Sequence, residues 1–187
     1  ISDNAAISAI LRHFKIDCPA SRFLLPKWNL SLVLNMLMLE PYEPIYSISL
    51  KHLTYKTCFL LSLASCARVS ELHAISFHQL SHNTSWTKVW LQPHLHFLAK
   101  NQPSHEPGHQ RSFLIRCLCD FVGPDLPERK LCPIRSLRMY LQKTASRREA
   151  HRFKSLFITL RQGRSKEISK SAISQWLRAV IRQAHLN

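Results

Sequence analysis

The residues best suited to chemistry lie in a short Arg-x-Ser-Glu-Leu stretch at residues 68–72. The pattern predicts Arg68 at the start of a helix, where unpaired backbone N–H groups add positive potential to its guanidinium. Such a guanidinium can hold an oxyanion such as a phosphate bidentately. The alternative is a surface ion pair between Arg68 and Glu71, which contributes only about 0.2–0.5 kcal/mol.

Charge indicates the kind of partner. The 187 residues include 26 Lys and Arg against 11 Asp and Glu, which gives a formal net charge of +15 and a pI of about 10.1. Residues 1–93 carry 8 basic and 5 acidic groups, a net of +3, whereas residues 94–187 carry 18 and 6, a net of +12. This uneven field favours polyanions, nucleic acid first and an anionic membrane surface second. The alternative is a generic basic protein without a nucleic-acid site.

Composition excludes several functional classes. With only 3 Gly the chain has no glycine-rich phosphate loop, which excludes P-loop NTPases and dinucleotide enzymes. No apolar run approaches the roughly 18 residues of a membrane helix, and no signal peptide opens the chain. We therefore expect an intracellular protein, nuclear or cytoplasmic. Because the chain starts at Ile1 rather than Met, we expect a piece of a longer protein.

Cysteine and histidine do not predict a metal site. Six Cys without a signal peptide are typical of buried thiols in a reducing compartment, and no Cys-x-x-Cys occurs. The tightest cluster is His105 and His109, followed by Cys117 and Cys119, and it lacks the knuckles of a structural zinc site. We expect neither a metal nor another cofactor.

Hydrophobic spacing predicts helices on both sides of Arg68. Apolar side chains recur every three to four residues in segments 4–15, 30–39, 49–66, 69–77 and 169–185 and in a segment that begins at Cys132-Pro133. Asn29 is the expected N-cap of the second helix, and Pro133 suits a first helical position. The helix at 49–66 is apolar nearly all round, which predicts burial in the core.

Segments rich in aromatic and apolar residues predict a small antiparallel sheet between these helices. We expect strands at residues 86–91, 94–99 and 111–117, with Phe113 and Ile115 on one face, and a further short strand at 156–160. The expected fold class is mainly α (α+β) and not a doubly wound parallel fold.

Residues 56–75 contain a buried helix, a turn and the Arg-x-Ser-Glu-Leu element, and together they resemble the first signature box of the tyrosine recombinases, the phage-integrase family. Within that family the chain is most similar to the recombinases of DIRS-type retrotransposons. Four further segments are similar in the same order: residues 25–34, 97–100, 131–137 and 168–177. A lone Arg-x-x-Glu-Leu is common in helices, but five ordered matches over residues 24–184 are far more specific.

The resemblance implies a helical recombinase catalytic core with a small antiparallel β-sheet insertion. Residues 1–46 would be the end of an N-terminal helical region (core-binding, SAM-like), and residues 47–187 a partial catalytic domain that lacks its C-terminal third. The implied activity is DNA recombination or integration. The implied partners are double-stranded DNA and, in the full-length protein, further copies of itself.

The resemblance also assigns roles to individual side chains. Arg68 would contact the scissile phosphate, with Glu71 as structural support. Lys100 on the sheet hairpin would donate a proton to the departing 5′ oxygen, the alternative being an ordinary solvated turn lysine. Lys88 on the neighbouring strand competes for that role.

Further DNA contacts are expected from basic residues that the helical and strand patterns place on exposed faces. These are Lys88 on its strand and, on the outer side of the last helix, Lys170, Arg178 and Arg182.

The chain departs from the family at its C-terminal end. A complete tyrosine recombinase carries a His-x-x-Arg box, then a His or Trp and the nucleophilic Tyr, after the last helix predicted here. This sequence contains no His-x-x-Arg, and its four tyrosines all lie upstream of that position. We therefore expect a C-terminally truncated copy that does not cleave DNA by itself. Two functions stay open: a fragment of an active recombinase, and a catalytically dead DNA-binding remnant or module.

Overall fold

The computed structural model of the chain describes residues 28–97, 112–123, 126–160 and 167–186. The helices in these ranges are α1 (Leu30–Leu37), α2 (Leu50–Ser65), α3 (Val69–Ala74), α4 (Pro133–His151) and α5 (Lys170–Leu186). The strands are β1 (Ser81–His82), β2 (Lys88–Leu91) and β3 (Phe113–Arg116), and they form one antiparallel sheet in the order β1-β2-β3. The predicted mixture of helices with a small antiparallel sheet is confirmed. The helix predicted at 4–15 and Lys100 lie outside the described residues.

The long helices begin where a side chain accepts an otherwise unpaired N–H. The Asn29 side chain accepts from Ser31 N–H at 2.9 Å, and the Ser49 hydroxyl accepts from His52 N–H at 3.2 Å. Pro133 occupies the first position of α4, where its missing N–H costs nothing. The helices predicted at 30–39 and 49–66 and the start at Pro133 are thereby confirmed, with ends that differ by one or two residues.

The segment after α3 departs from the prediction. A helix was expected as far as residue 77, but α3 ends at Ala74 because Ile75 and Ser76 form single bridges with Pro93 and Ser155. If the helix continued, the N–H and C=O groups of these two residues would form hydrogen bonds within the helix instead of these bridges. The short strand expected at 156–160 is reduced to bridges of the same kind.

The strand predicted at 94–99 is wrong over residues 94–97, which form a turn. His94 N–H donates to the Ala74 carbonyl at 2.8 Å, and Phe97 N–H donates back to the His94 carbonyl at 2.8 Å. By contrast, the strand predicted at 111–117 is confirmed over β3. Its Phe113 and Ile115 are buried on one face, as expected.

The core lies where α4 and α5 pack against α2. Leu53 and Leu61 of α2, Leu137 of α4 and Val180 of α5 are all fully buried. The C-terminal turn of α2 leaves the core, and Leu63 is 40 % exposed there, so burial of this helix is less complete than predicted. Within the described residues, none of the helices has the length and hydropathy that a membrane crossing requires.

The C-terminal helix also closes the fold onto α1. The Tyr42 hydroxyl donates to Gln183 Oε1 at 2.7 Å, and Asn29 N–H donates to His185 Nε2 at 3.0 Å. Val33 and Tyr42 belong to the same buried cluster as the residues of α4 and α5. In the described part, residues on both sides of the division at 46/47 thus share one core, and the two-domain division itself stays a prediction.

A buried ionic cluster joins α2 to the segment that follows α1. Lys56, in the middle of α2, has no exposed surface. Its ammonium donates to Glu43 Oε1 at 2.5 Å and to the carbonyls of Leu37 at 2.8 Å and Tyr42 at 3.4 Å. All three donor positions of the ammonium therefore have acceptors, which is the condition for burying it.

The same carboxylate binds α4. Glu43 accepts from both terminal nitrogens of Arg135, at 2.6 and 3.0 Å, and from Ile45 N–H at 2.9 Å. Burial alone would raise the pKa of Glu43, but the hydrogen bonds from Arg135 and Lys56 outweigh it and hold the pKa below its ordinary value. Because the folded-state pKa is lowered, this contribution to stability is present above the ordinary carboxyl range. It is lost as pH falls through the lowered pKa.

Two substitutions test how much the members of this cluster contribute to the free energy of unfolding. Glu43→Gln is expected to lower the free energy of unfolding by about 3–5 kcal/mol, because it leaves the buried Lys56 without a counter-charge. Arg135→Gln should cost only about 1.5 kcal/mol, because its side chain is 36 % exposed and Glu43 keeps Lys56. Urea unfolding followed by circular dichroism measures both changes. Equal losses in the two variants would contradict this ranking.

Candidate nucleic-acid interface

Arg68 stands at the N-cap of α3. The chain enters this position through Cys66, whose left-handed backbone (φ 50°) ends α2 and turns the chain toward α3. Arg68 N–H donates to Glu71 Oε2 at 2.6 Å, so the carboxylate satisfies the backbone of the helix start. Within the described residues the two side chains form no ion pair, and Arg68 is exposed. Its guanidinium is therefore available to a ligand.

Helix α3 is fixed against α5. Leu72 of α3 is buried, and His73 donates through Nε2 to the carbonyl of Ile168, just before α5, at 2.8 Å. This contact joins the element that begins with Arg68 to the helix that carries most of the predicted DNA contacts.

The outer face of α5 is positively charged without compensation inside the helix. Its buried side is formed by Ile173, Trp176, Val180 and Ala184. The residues opposite are exposed and include Lys170, Gln175, Arg178 and Arg182. No Asp or Glu occurs among the 17 residues of α5.

Arg178 and Arg182 lie four residues apart on that exposed face. Their separation is about 6 Å along the helix axis. A like-charge pair at this spacing destabilises a helix by about 0.2–0.5 kcal/mol. A bound anion would reverse the sign of that contribution.

A second positive surface lies on the sheet. Lys88 of β2 pairs directly with Arg116 of β3, and both side chains are exposed. Like charges directly opposite each other on two strands are destabilising. Arg116 was not among the residues predicted to bind DNA. Its alternation with the buried Ile115 indicated an outward position, but only the strand register places it opposite Lys88.

Only one of the two candidates for the proton donor, Lys88, lies within the described residues. Lys100 lies outside the described residues, so its distance from Arg68 stays a prediction. Lys88 begins β2, whereas the other end of that strand leads to Pro93, the partner of Ile75 after α3. The four-residue strand separates the two ends by about 10 Å, so Lys88 lies at the end of β2 away from this contact with the α3 segment.

A cavity of about 390 Å³ lies beside that contact. Its lining includes His78, His94 and His96 together with Lys154 and Glu167. Burial lowers the pKa of His94, with the carboxylate of Glu167 acting in the opposite direction. The described residues contain no group of three or more His, Cys, Asp or Glu side chains able to hold a metal ion.

Two thiols lie in contact at the end of β3. Cys117 Sγ lies 3.5 Å from Cys132 Sγ, and burial raises the pKa of Cys117. The raised pKa disfavours the thiolate, which is the form that attacks as a nucleophile or binds a metal. Because Cys132 is the N-cap of α4, the two thiols lie next to the start of that helix.

Comparison of the chain with protein-family models, with curated proteins and with solved structures finds no match. The resemblance to tyrosine recombinases thus depends on the quoted sequence segments alone, and the roles of Arg68, Lys100 and Glu71 stay predictions.

Substitutions at the start of α3 test how Arg68 and Glu71 divide their roles. Glu71→Ala is expected to lower the free energy of unfolding by about 1 kcal/mol, because it removes the acceptor of Arg68 N–H. Arg68→Ala should change it by less than about 0.5 kcal/mol, because an exposed guanidinium without an ion pair stabilises little. Glu71→Gln keeps an acceptor oxygen and is the control in the same denaturation experiment. A loss in Arg68→Ala as large as that in Glu71→Ala would show that the guanidinium has a structural partner.

Proposed function

We propose that this chain binds double-stranded DNA through its phosphates as part of a tyrosine recombinase. The observation that carries the proposal is the exposed face of α5, where Arg178 and Arg182 lie on a helix without any carboxylate. Duplex DNA offers closely spaced phosphates, and neutralising them releases condensed counterions. The hydrogen bond from His73 to the Ile168 carbonyl joins α3, which has Arg68 at its N-cap, to the segment just before this helix.

The recombinase part of the proposal is finer and is supported by the five ordered sequence segments. In it Arg68 clamps the scissile phosphate, Glu71 holds the backbone at Arg68, and Lys100 is the acid for the departing 5′ oxygen. The exposed guanidinium of Arg68 agrees with the first of these roles, because a phosphate clamp must be unpaired before DNA arrives. The resemblance implies a helical core with a small inserted sheet, and the observed mixture of helices with a small antiparallel sheet is compatible with it.

The second candidate function is DNA binding without cleavage, and the tyrosines favour it for these 187 residues. The Tyr42 hydroxyl donates to Gln183, and the Tyr140 hydroxyl accepts from Ile158 N–H at 3.0 Å. Burial raises the pKa of each to about 12, so both phenols stay protonated inside the core. No His-x-x-Arg occurs in the sequence to supply a second phosphate-binding arginine box.

Salt dependence tests phosphate binding directly. If six to eight phosphates are engaged, log K should fall with log salt at a slope of about −5 to −7. Arg178→Ala combined with Arg182→Ala should flatten the slope by about two units, one for each lost contact. Fluorescence anisotropy of a labelled duplex at several salt concentrations measures these slopes.

The control is Lys51→Ala combined with Arg152→Ala, which removes the same charge from two exposed positions outside α5. Its slope should stay near that of the unsubstituted chain. Equal flattening in both double variants would indicate a diffuse charge effect and contradict a binding face on α5.

A suicide substrate tests the absence of cleavage. A nicked or phosphorothiolate duplex incubated with this 187-residue chain should give no covalent protein–DNA adduct, because these residues contain neither a His-x-x-Arg box nor a tyrosine at the position where the resemblance places the nucleophile. Denaturing gel electrophoresis detects such an adduct. A tyrosine-linked adduct would be incompatible with a binding-only chain and would point to Tyr46 or Tyr55, the two tyrosines that are not fully buried.

A further inference from the structure

An arginine-lined cavity lies at the end of the sheet where β2 begins and β3 ends. Its volume is about 420 Å³, within the range of small-molecule sites. It opens between the turn at residues 83–87, the segment after β3 and the first half of α4. Its polar lining comprises Ser85, Arg129, Arg135, Arg138 and Gln142, with Trp86 among the apolar side chains. None of the residues assigned above to DNA binding lines it.

We propose that this arginine pocket, defined by Arg129, Arg135 and Arg138, binds a phosphate group carried by an organic molecule. The described residues that line it include three guanidinium groups and no carboxylate. Planar guanidinium groups match the oxygen spacing of a phosphate and bind it with paired, charge-assisted hydrogen bonds. The inference goes beyond the proposed DNA binding and does not depend on it.

The three arginines are held in different ways. Arg135 is oriented from behind by the bidentate contact with Glu43, which balances its charge. Arg129 and Arg138 have no ion pair in the described part of the chain. Their net positive charge is therefore what the pocket presents to a ligand.

Trp86 forms one wall and is held in a strained position. Its backbone has φ 54°, which an aromatic residue rarely adopts. The turn that imposes this conformation is fixed by Asn83, whose side-chain oxygen accepts from the N–H groups of Thr87 and Lys88, both at 2.9 Å. The strain is thus offset by local hydrogen bonds, and such strained positions concentrate at ligand sites.

The indole ring of Trp86 contacts two other groups. His82 stacks on it with ring centroids 3.7 Å apart, and the Arg138 guanidinium lies 5.9 Å from its centroid. A planar cation next to an indole face is favourable and keeps Arg138 directed at the pocket. The apolar lining, which includes Ile134 and Met139, suits the organic part that carries the phosphate.

The surroundings of the pocket add to the same potential. The exposed cross-strand pair Lys88 and Arg116 lies at this end of the sheet. Lys88 directly follows Thr87, and Arg116 directly precedes Cys117, which lines the pocket. Repulsion among these cations is a cost in the unliganded protein, and a phosphate would convert it into attraction. The pocket thus combines charge, shape and a fixed aromatic wall.

Pyrophosphate binding to the 187-residue chain tests the pocket without DNA. Isothermal titration with inorganic pyrophosphate should show saturable binding to the unsubstituted chain and at least about tenfold weaker binding to Arg129→Gln/Arg138→Gln, a factor equivalent to about 1.4 kcal/mol. The control Lys51→Gln/Arg152→Gln loses the same charge and should bind normally. Equal affinity in all three proteins, or no saturable binding to the unsubstituted chain, would overturn the proposal. If urea titration shows that the double variant is not folded, Arg138→Gln alone is used instead, because it changes a single exposed residue. Its affinity for pyrophosphate should likewise be reduced.

A labelled duplex then distinguishes the two sources of the phosphate. If the pocket holds a backbone phosphate of DNA, Arg129→Gln/Arg138→Gln should flatten the salt slope by about one unit, and pyrophosphate should compete with the duplex. If it holds a free phosphorylated molecule, the slope stays unchanged while the loss of pyrophosphate binding persists. Pyrophosphate binding that depends on the arginines, together with no salt-dependent DNA binding, would retain the pocket and refute the proposed function.

Discussion

The carboxylate of Glu43 is the point at which three segments of the chain are held together. It binds the ammonium of Lys56 in the middle of α2 and the guanidinium of Arg135 in the first turn of α4, while Lys56 also binds the carbonyl at the end of α1. Apolar side chains tolerate small shifts in packing, but a buried ammonium does not tolerate the loss of its partners. We interpret the cluster as the constraint that selects one arrangement of α1, α2 and α4.

Both the outer face of α5 and the arginine pocket depend on that arrangement. Helix α2 delivers the chain to Arg68 through the left-handed turn at Cys66, and α5 packs on α2 and binds α3 through His73. On the other side, the same contact that anchors α4 orients Arg135 at the edge of the arginine pocket. The groups proposed to bind phosphate, on α5 and in the arginine pocket, are thus both positioned by elements that this buried interaction joins.

The outer face of α5 and the exposed side of the sheet share a physical feature, which is a pair of like positive charges that forms no ion pair within the described residues. On α5 the pair Arg178 and Arg182 repels along a helix, and on the sheet Lys88 and Arg116 repel across strands. A fold selected only for stability would place acidic residues among them. A bound polyanion or phosphate would supply the missing negative charge. The guanidinium of Arg68 is in the same situation, because the neighbouring carboxylate of Glu71 binds the Arg68 backbone N–H instead.

The sequence by itself determined the features that depend on neighbouring residues. The cap at Asn29, the start at Pro133, the alternation of β3 and the inward and outward faces of α5 all follow from spacings of four residues or fewer. What only the tertiary structure decided depends on residues far apart in the chain. Residues 94–97 form a turn because His94 N–H donates to the Ala74 carbonyl. Lys56 can be buried because Glu43 and the carbonyls of Leu37 and Tyr42 accept hydrogen bonds from its ammonium. Glu43 and Arg135 are 92 positions apart, and the register of Lys88 with Arg116 spans a segment of 27 residues between them. No pattern of neighbouring residues predicts such pairings, because backbone and side-chain groups bind distant partners only once the core has brought them within hydrogen-bonding distance.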